Sequence, residues 1–412
     1  MYSGMFVYSW DLADEGVDAV AARLRDTGIN TIAVAASYHA GKFLRPHAPH
    51  SRVIFPDDGT VYFRPTLDRY RGTPLRPAMN RLVEEHDVFA VLGARRAATG
   101  LDVAAWMVGL HNTRLGTAHP EYVARNAYGD PYYYSLCPSH ADVRAYLVAL
   151  VADFTATYEV QYVILETPGF LPYEHGFHHE FSLVPPDAWS SVLLALCFCP
   201  GCARHARTRG IDGDRVASTV RDALDAFYAH PALPHPSEGQ ATHWFLADLL
   251  QDTECEAYLR MRIDLVTSLV EEVRAALPAP VRLSVIPSVN QPLALAWLEG
   301  ASLSLLAKHA HIIEVLGYRP DPGEVGADVW WARQRIGTQA MLHVALRPSH
   351  PDSQDEANLL AKVQAVRASG ADGISFYNYG HIRLGHLAWV RRALSMLGSS
   401  PPSRDHPPGR DR

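Results

Sequence analysis

Eight short runs of apolar or β-branched residues recur along the chain, at 5–10, 31–37, 103–110, 161–166, 281–287, 311–317, 340–346 and 373–377. Segments between them, such as 16–26, 143–156, 256–276 and 359–369, space their apolar positions as one face of a helix. Strands that are apolar on both faces and separated by helices pair in parallel, so the pattern predicts successive βα units. Asp355 and Glu356 ahead of the last helical segment, and Gly370 just beyond it, are a matched start and stop. Eight strands with interposed helices suit a closed barrel better than an open sheet, and the expected fold is an α/β-class (β/α)8 TIM barrel.

The 412-residue length exceeds the roughly 250 residues of a bare barrel. Two long insertions, after strands 2 and 4, take up the excess. Residues 1–398 are read as one barrel domain, with 167–280 as the larger insertion, and the Pro-rich, charged stretch 399–412 as a disordered tail. In the first insertion, VIFPDDGTVYFRP reads as a hairpin turning at Asp58-Gly59. Loops after barrel strands build the substrate face, so insertions at those places predict recognition rather than scaffolding.

A net charge of −7, with no run of Lys or Arg, disfavours nucleic acid as a partner. The longest apolar stretches, 191–199 and 146–154, fall short of the roughly 18 residues of a membrane helix, so no membrane partner is expected. The start of the sequence has no basic segment before its apolar run, and a cytoplasmic location is the expectation. Nothing sets the subunit number, and a homo-oligomer stays open.

Three of five cysteines lie in Cys197-Phe198-Cys199-Pro200-Gly201-Cys202. Three thiolates so close suit a tetrahedral structural zinc site. Disulfides between such near neighbours are strained, and ordinary buried thiols are the plain alternative.

The order of Cys137-Pro138-Ser139-His140, a helical stretch, the strand VQYVILE and then CFCPGC resembles family 42 β-galactosidases over roughly 136–211. In that family a cysteine after the third strand joins a CxCxxC group after the fourth to bind zinc, with the general acid/base glutamate between them. The resemblance implies Cys137, Cys197, Cys199 and Cys202 as zinc ligands and Glu166 as acid/base; Cys255 matches nothing and reads as helix core. Two positions depart from the family: Leu165 stands where an asparagine precedes the acid/base, and the seventh-strand run AMLHVALRP has no carboxylate where the clan keeps its nucleophile.

Glycoside hydrolysis needs two carboxyl groups, one on each side of the scissile bond. Glu166 ends the apolar run YVILE and is the first; Glu314, inside HIIEVLGY, is the second, with a salt bridge to Arg282 or Arg347 as its structural alternative. Glu174 and Glu180 are rival carboxylates. Substrate-facing residues are expected at strand ends and in the fourth loop: Trp10, Asp11, Tyr38, His39, His111, Asn112, His175, His178, His179, Arg347, Tyr377, Asn378 and Tyr379. Aromatic rings and uncharged polar groups suit the apolar faces and hydroxyls of sugars, and Arg347 could take a substrate carboxylate bidentately. The function expected is that of a glycoside hydrolase, a glycosidase of carbohydrate metabolism. Its rivals are a metal-dependent sugar isomerase, epimerase or lyase using the loop 175–180, and a carbohydrate-binding barrel without catalysis.

Overall fold

The computed structural model describes residues 1–176, 181–184, 186–230 and 237–398. Eight strands close into a parallel barrel: β1 (Tyr2–Val7), β2 (Thr31–Tyr38), β3 (Asp102–Val108), β4 (Tyr162–Glu166), β5 (Arg282–Ile286), β6 (Ile312–Leu316), β7 (Met341–Leu346) and β8 (Gly373–Phe376). Each pairs with its neighbour in sequence, and β1 pairs with both β2 and β8, which leaves no free edge in the barrel wall. The chain is a (β/α)8 TIM barrel. The run 399–412, read as a disordered tail, lies outside the described residues.

Alternation along the strands creates two cores. Phe6, Ala33, Ala35, Ala104, Trp106 and Ile164 belong to the cluster inside the barrel, while Met5, Val7, Ile32, Val34, Val103, Val163 and Leu165 join the helices outside. Small residues beside large ones make the interior fit, as where Ala35 stands in register with Trp106. The lower end is plugged by Tyr2 stacked on His343, with ring centroids 4.1 Å apart. Gly373 fits under that plug because a Cβ there would lie 2.7 Å from the His343 ring.

Two local expectations differ from the structure. The first strand was expected at 5–10 but ends at Val7, and Ser9–Glu15 is helical, so Trp10 sits in a first turn. Asp11, at the third helical position, reaches back to accept from the Tyr8 backbone N–H at 3.2 Å, which starts the helix early. The hairpin across Asp58-Gly59 does not form. Val53–Ile54 pairs with Phe43–Leu44, whereas Thr60–Val61 runs antiparallel to the end of β2 and parallel to Ala78–Met79. Gly59 still turns there with φ +60°, and a Cβ would lie 2.1 Å from the Asn112 Oδ1.

The insertion after β4 carries the helices Ala188–Leu194, Pro200–Thr208, Gly213–Ala229 and Glu238–Gln251 before Thr253–Ala276 returns the chain to the barrel wall. Among the described residues no helix is long and apolar enough to cross a membrane.

Candidate functional site

Glu166 is the last residue of β4, and the chain turns sharply after it: Thr167 holds φ at +52° while buried. A β-branched residue in that region costs roughly 1–3 kcal/mol, and strain of this kind gathers at functional sites. The Glu166 carboxyl keeps some exposure at the barrel mouth, and the Trp106 indole on β3 donates to its Oε2 at 2.5 Å. Burial pushes its pKa up to about 7, against the Trp106 hydrogen bond, which pulls it down. A carboxyl so shifted is still partly protonated near neutrality.

Nearby, three tyrosines, one just after β1, one ending β2 and one just after β8, meet at their hydroxyls. Tyr8 and Tyr377 are 2.7 Å apart, Tyr8 and Tyr38 3.1 Å, and Tyr38 and Tyr377 3.2 Å. Burial raises the pKa of each, so all three remain protonated donors and acceptors. The Glu166 charge raises Tyr38 and Tyr377 further, and Tyr318 at the end of β6 as well, which groups these rings around the carboxyl. His381 gives its Nδ1 proton to the Leu44 carbonyl at 3.1 Å, leaving Nε2 to accept from the Tyr8 hydroxyl at 3.3 Å.

Rings continue along the rim. His39 stacks on Tyr38 and on His111, both at 4.3 Å, and His175 meets His111 edge-on at 5.3 Å. Arg347, after β7, lies 3.9 Å over the Tyr318 ring and 5.6 Å from that of Tyr377, with Asp352 at 3.2 Å. Tyr38, His39, His111, His175, Arg347 and Tyr377 thus come together on the side of the barrel that carries Glu166.

Others from the sequence have different surroundings. Trp10 is buried, stacked on Tyr8 at 4.3 Å and edge-on to Tyr38 at 6.1 Å. Asp11 is paired with the buried Arg45 at 2.8 Å, and burial pushes its pKa up to about 6 despite that partner. Asn112 accepts from Leu115 N at 2.8 Å, capping a short helix, and its amide nitrogen reaches Gly59 O at 3.4 Å. Asn378 caps the turn at 379–381 by accepting from Gly380 N, while its Nδ2 is buried without a partner among the described residues. Tyr379 bonds Glu15 at 2.8 Å and Arg23 at 2.7 Å, away from the tyrosine group. Glu174 is exposed, and His178, His179 and Glu180 lie outside the described residues.

Glu314 makes no salt bridge to Arg282 or Arg347. It is fully buried in the middle of β6 and accepts from the hydroxyls of Ser284 at 3.3 Å and of Ser375. Burial, opposed by these two bonds, pushes its pKa up to about 7. A third such carboxyl, Glu299, follows β5 in the turn Leu293–Glu299; its Oε1 accepts from Ser288 Oγ at 2.5 Å, Val289 N at 3.0 Å and Asn290 Nδ2 at 3.1 Å. Burial raises it to about 7, and the Glu166 charge adds to the shift. Glu299 has no signal of its own in the sequence, since LALAWLEG carries only a helix-like apolar pattern, and Tyr8, Trp106 and Tyr318 lie inside or beside runs that look like plain barrel strands.

The second constellation is sulfur. Cys137 Sγ lies 3.6 Å from those of Cys199 and Cys202 and 3.7 Å from that of Cys197, all buried. A tetrahedral zinc with bonds of about 2.3 Å requires sulfurs about 3.8 Å apart, whereas a disulfide requires about 2.05 Å. The spacing fits a shared ion, and this group could hold a metal such as zinc. Arg125 N and Cys202 N donate to Cys197 and Cys199 sulfurs at 3.4 and 3.5 Å, the kind of outer-shell support that steadies a thiolate ligand. Pro200 begins a helix directly after Cys199, which folds the CxCxxC run into a knuckle. Cys255 is half-buried in its helix and packs beside this cluster.

No protein-family model matches the chain, and no curated protein matches it. Solved structures match its fold. The glycoside hydrolase domain of PgaB (BpsB) from Bordetella bronchiseptica is 15% identical with a TM-score of 0.53, over 96% of this chain and 98% of that one. A β-galactosidase from the psychrophilic Marinomonas ef1 is 11% identical with a TM-score of 0.55, over 97% of this chain and 60% of that one. An α-L-fucosidase isoenzyme from Paenibacillus thiaminolyticus is 13% identical with a TM-score of 0.52, over 97% of this chain and 49% of that one. This chain thus spans about half of the fucosidase and 60% of the β-galactosidase. At these identities the likeness is one of fold.

Proposed function

We propose that this barrel acts on a carbohydrate as a glycoside hydrolase, with Glu166 as the general acid/base. The observation that carries the reading is the setting of Glu166: the end of a barrel strand, beside a strained turn, hydrogen-bonded to Trp106, with a pKa raised to about 7. A carboxylic acid that keeps its proton near neutrality can deliver it to the oxygen of a departing sugar alcohol. The hydroxyls of Tyr8, Tyr38 and Tyr377 and the rings around them supply both apolar faces and polar partners for a pyranose. The fold shared with three glycosidase structures and the resemblance to family 42 agree with this class.

The second carboxyl is drawn from Glu314 and Glu299, both of which feel the charge of Glu166. Arg347 suits an acidic or strongly polar substituent at the rim. The four cysteines hold one structural zinc, joining the segment after β3 to the insertion after β4; when bound, the ion supplies cross-linking and no chemistry at the mouth. Non-catalytic carbohydrate binding is the second reading, favoured by a seventh strand whose end offers Arg347 and no carboxylate. Incubation with a panel of nitrophenyl glycosides, alongside calorimetry with the matching free sugars, separates the two. Phenolate release supports hydrolysis, and saturable sugar binding with no release from any glycoside overturns it.

A further inference from the structure

The end of the barrel opposite Glu166 carries a cavity of about 630 Å³, within the usual range for small-molecule sites. Arg274 comes from the last turn of the helix before β5, Arg282 from the first residue of β5, and Lys308 and His311 from the turn ahead of β6. His309, Thr338 and Gln339 add neutral polar groups, and Arg333 and Asp372, also on the lining, neutralise one another through an ion pair. Among the described residues no carboxylate pairs with Arg274, Arg282 or Lys308. Three uncompensated cations therefore converge on one cavity in a chain whose net charge is −7.

The hydrogen bonding around His311 is an independent sign. The Leu283 backbone N–H donates to His311 Nδ1 at 2.9 Å, which fixes the proton of the neutral ring on Nε2. That Nε2 faces the Arg274 guanidinium nitrogen Nη2 at 2.9 Å. Two donors meet there with no acceptor between them. Protonating the ring does not help, because the Leu283 N–H would then face a donor too. Burial and the charges of Arg274 and Arg282 push the His311 pKa below its ordinary value and keep the ring neutral. An oxygen from outside the chain, accepting from both, would resolve the conflict.

We propose that this cavity binds an organic phosphate, whose dianionic group sits among Arg274, Arg282 and Lys308 and accepts from Arg274 Nη2 and His311 Nε2. Guanidinium groups match the paired oxygens of a phosphate, and a single carboxylate would leave two of the three cations unbalanced. Ala310 and Met341 on the wall give an apolar bed for the body that carries the phosphate. The site is separate from the mouth and stands whether or not Glu166 is catalytic.

Titration calorimetry of the intact protein at low salt, with pyrophosphate as the probe and inorganic phosphate beside it, tests the proposal. One saturable site per chain is expected, weakened about tenfold or more by Arg282→Gln and by Lys308→Gln, since each removes a charge-assisted contact. Both side chains are exposed, so melting temperature should hold in either variant, and Glu166→Gln should bind pyrophosphate as the unaltered protein does. No saturable binding up to about 10 mM, or binding that survives the Arg282→Gln/Lys308→Gln double substitution, overturns the proposal. Tighter binding of citrate than of pyrophosphate overturns the choice of phosphate.

Discussion

The indole N–H of Trp106 donates to Glu166 across neighbouring barrel strands, and among the described residues it is the interaction that pulls the pKa of this carboxyl down against its burial. The hydrogen bond stabilises the carboxylate, so its removal should raise the pKa further. Trp106→Phe keeps an aromatic ring in the barrel and removes the donor. If hydrolysis follows the protonated fraction of Glu166, the alkaline limb of the rate profile should move upward by about one pH unit, the scale of one hydrogen bond to a charged group. An alkaline limb that stays in place, or moves downward, would separate this pair from the titrating group.

Buried carboxyls also set how stability responds to pH. Glu314 is raised from 4.5 to about 7 by burial, so between those values the native state holds a proton that the unfolded chain has released. The unfolded state binds fewer protons there, and stability falls as pH rises through that window. Glu314→Gln removes the titration while keeping a partner for Ser284 and Ser375. Denaturant unfolding should find the variant gaining on the unaltered protein, by on the order of 2 kcal/mol, at pH 8 relative to pH 5. A difference that does not change with pH would show that Glu314 titrates normally.

Metal analysis of the purified protein should return about one zinc per chain, the stoichiometry of a closed four-thiolate site. Cys199→Ser should lose the metal and lower the melting temperature, whereas Cys255→Ala, outside the group, should keep it. Chelation that removes zinc should destabilise the protein before it affects substrate binding. Full stability in a metal-free preparation would leave the cluster as buried thiols.

The three tyrosines make a finer prediction. Tyr377→Phe deletes one hydroxyl from the triangle and leaves its ring in contact with Phe6 and Trp106. Steady-state kinetics should show KM rising by about two- to tenfold, the worth of one neutral hydrogen bond, with the fold intact. An unchanged KM would place the sugar elsewhere.

The barrel was legible because eight buried strands leave eight apolar runs, and all eight runs overlap observed strands. The boundary at β1 was not, because the capping reach of Asp11 looks, in sequence, like one more residue after a strand. The hairpin at Asp58-Gly59 failed for a related reason: the turn residues are visible, but their partners, β2 and the strand Phe43–Leu44, are set by tertiary pairing. The placing of Glu166, Tyr38 and Tyr377 on one face of the barrel was legible, because each stands at or just after the end of a strand. Glu299 was not, because it reaches the neighbourhood of Glu166 through a turn that packs its backbone carbonyl against Phe170 N at 3.0 Å. The capping bonds of Asn112 and Asn378 were not legible either, because an amide that caps a helix or turn has the same composition as one that binds a hydroxyl.

The most direct measurement is the turnover of Glu166→Gln on two glycosides of one sugar, one with an alkyl and one with a nitrophenyl leaving group. Glutamine keeps the shape and removes the transferable proton. The expected loss is about 10²–10⁴-fold on the alkyl glycoside, the usual contribution of a positioned general acid. The nitrophenyl substrate, whose leaving group needs no protonation, should suffer less in the bond-breaking step, and the alkaline limb should vanish from the variant's pH profile. Near-normal turnover of the alkyl glycoside by Glu166→Gln would contradict the assignment of Glu166 as the proton donor.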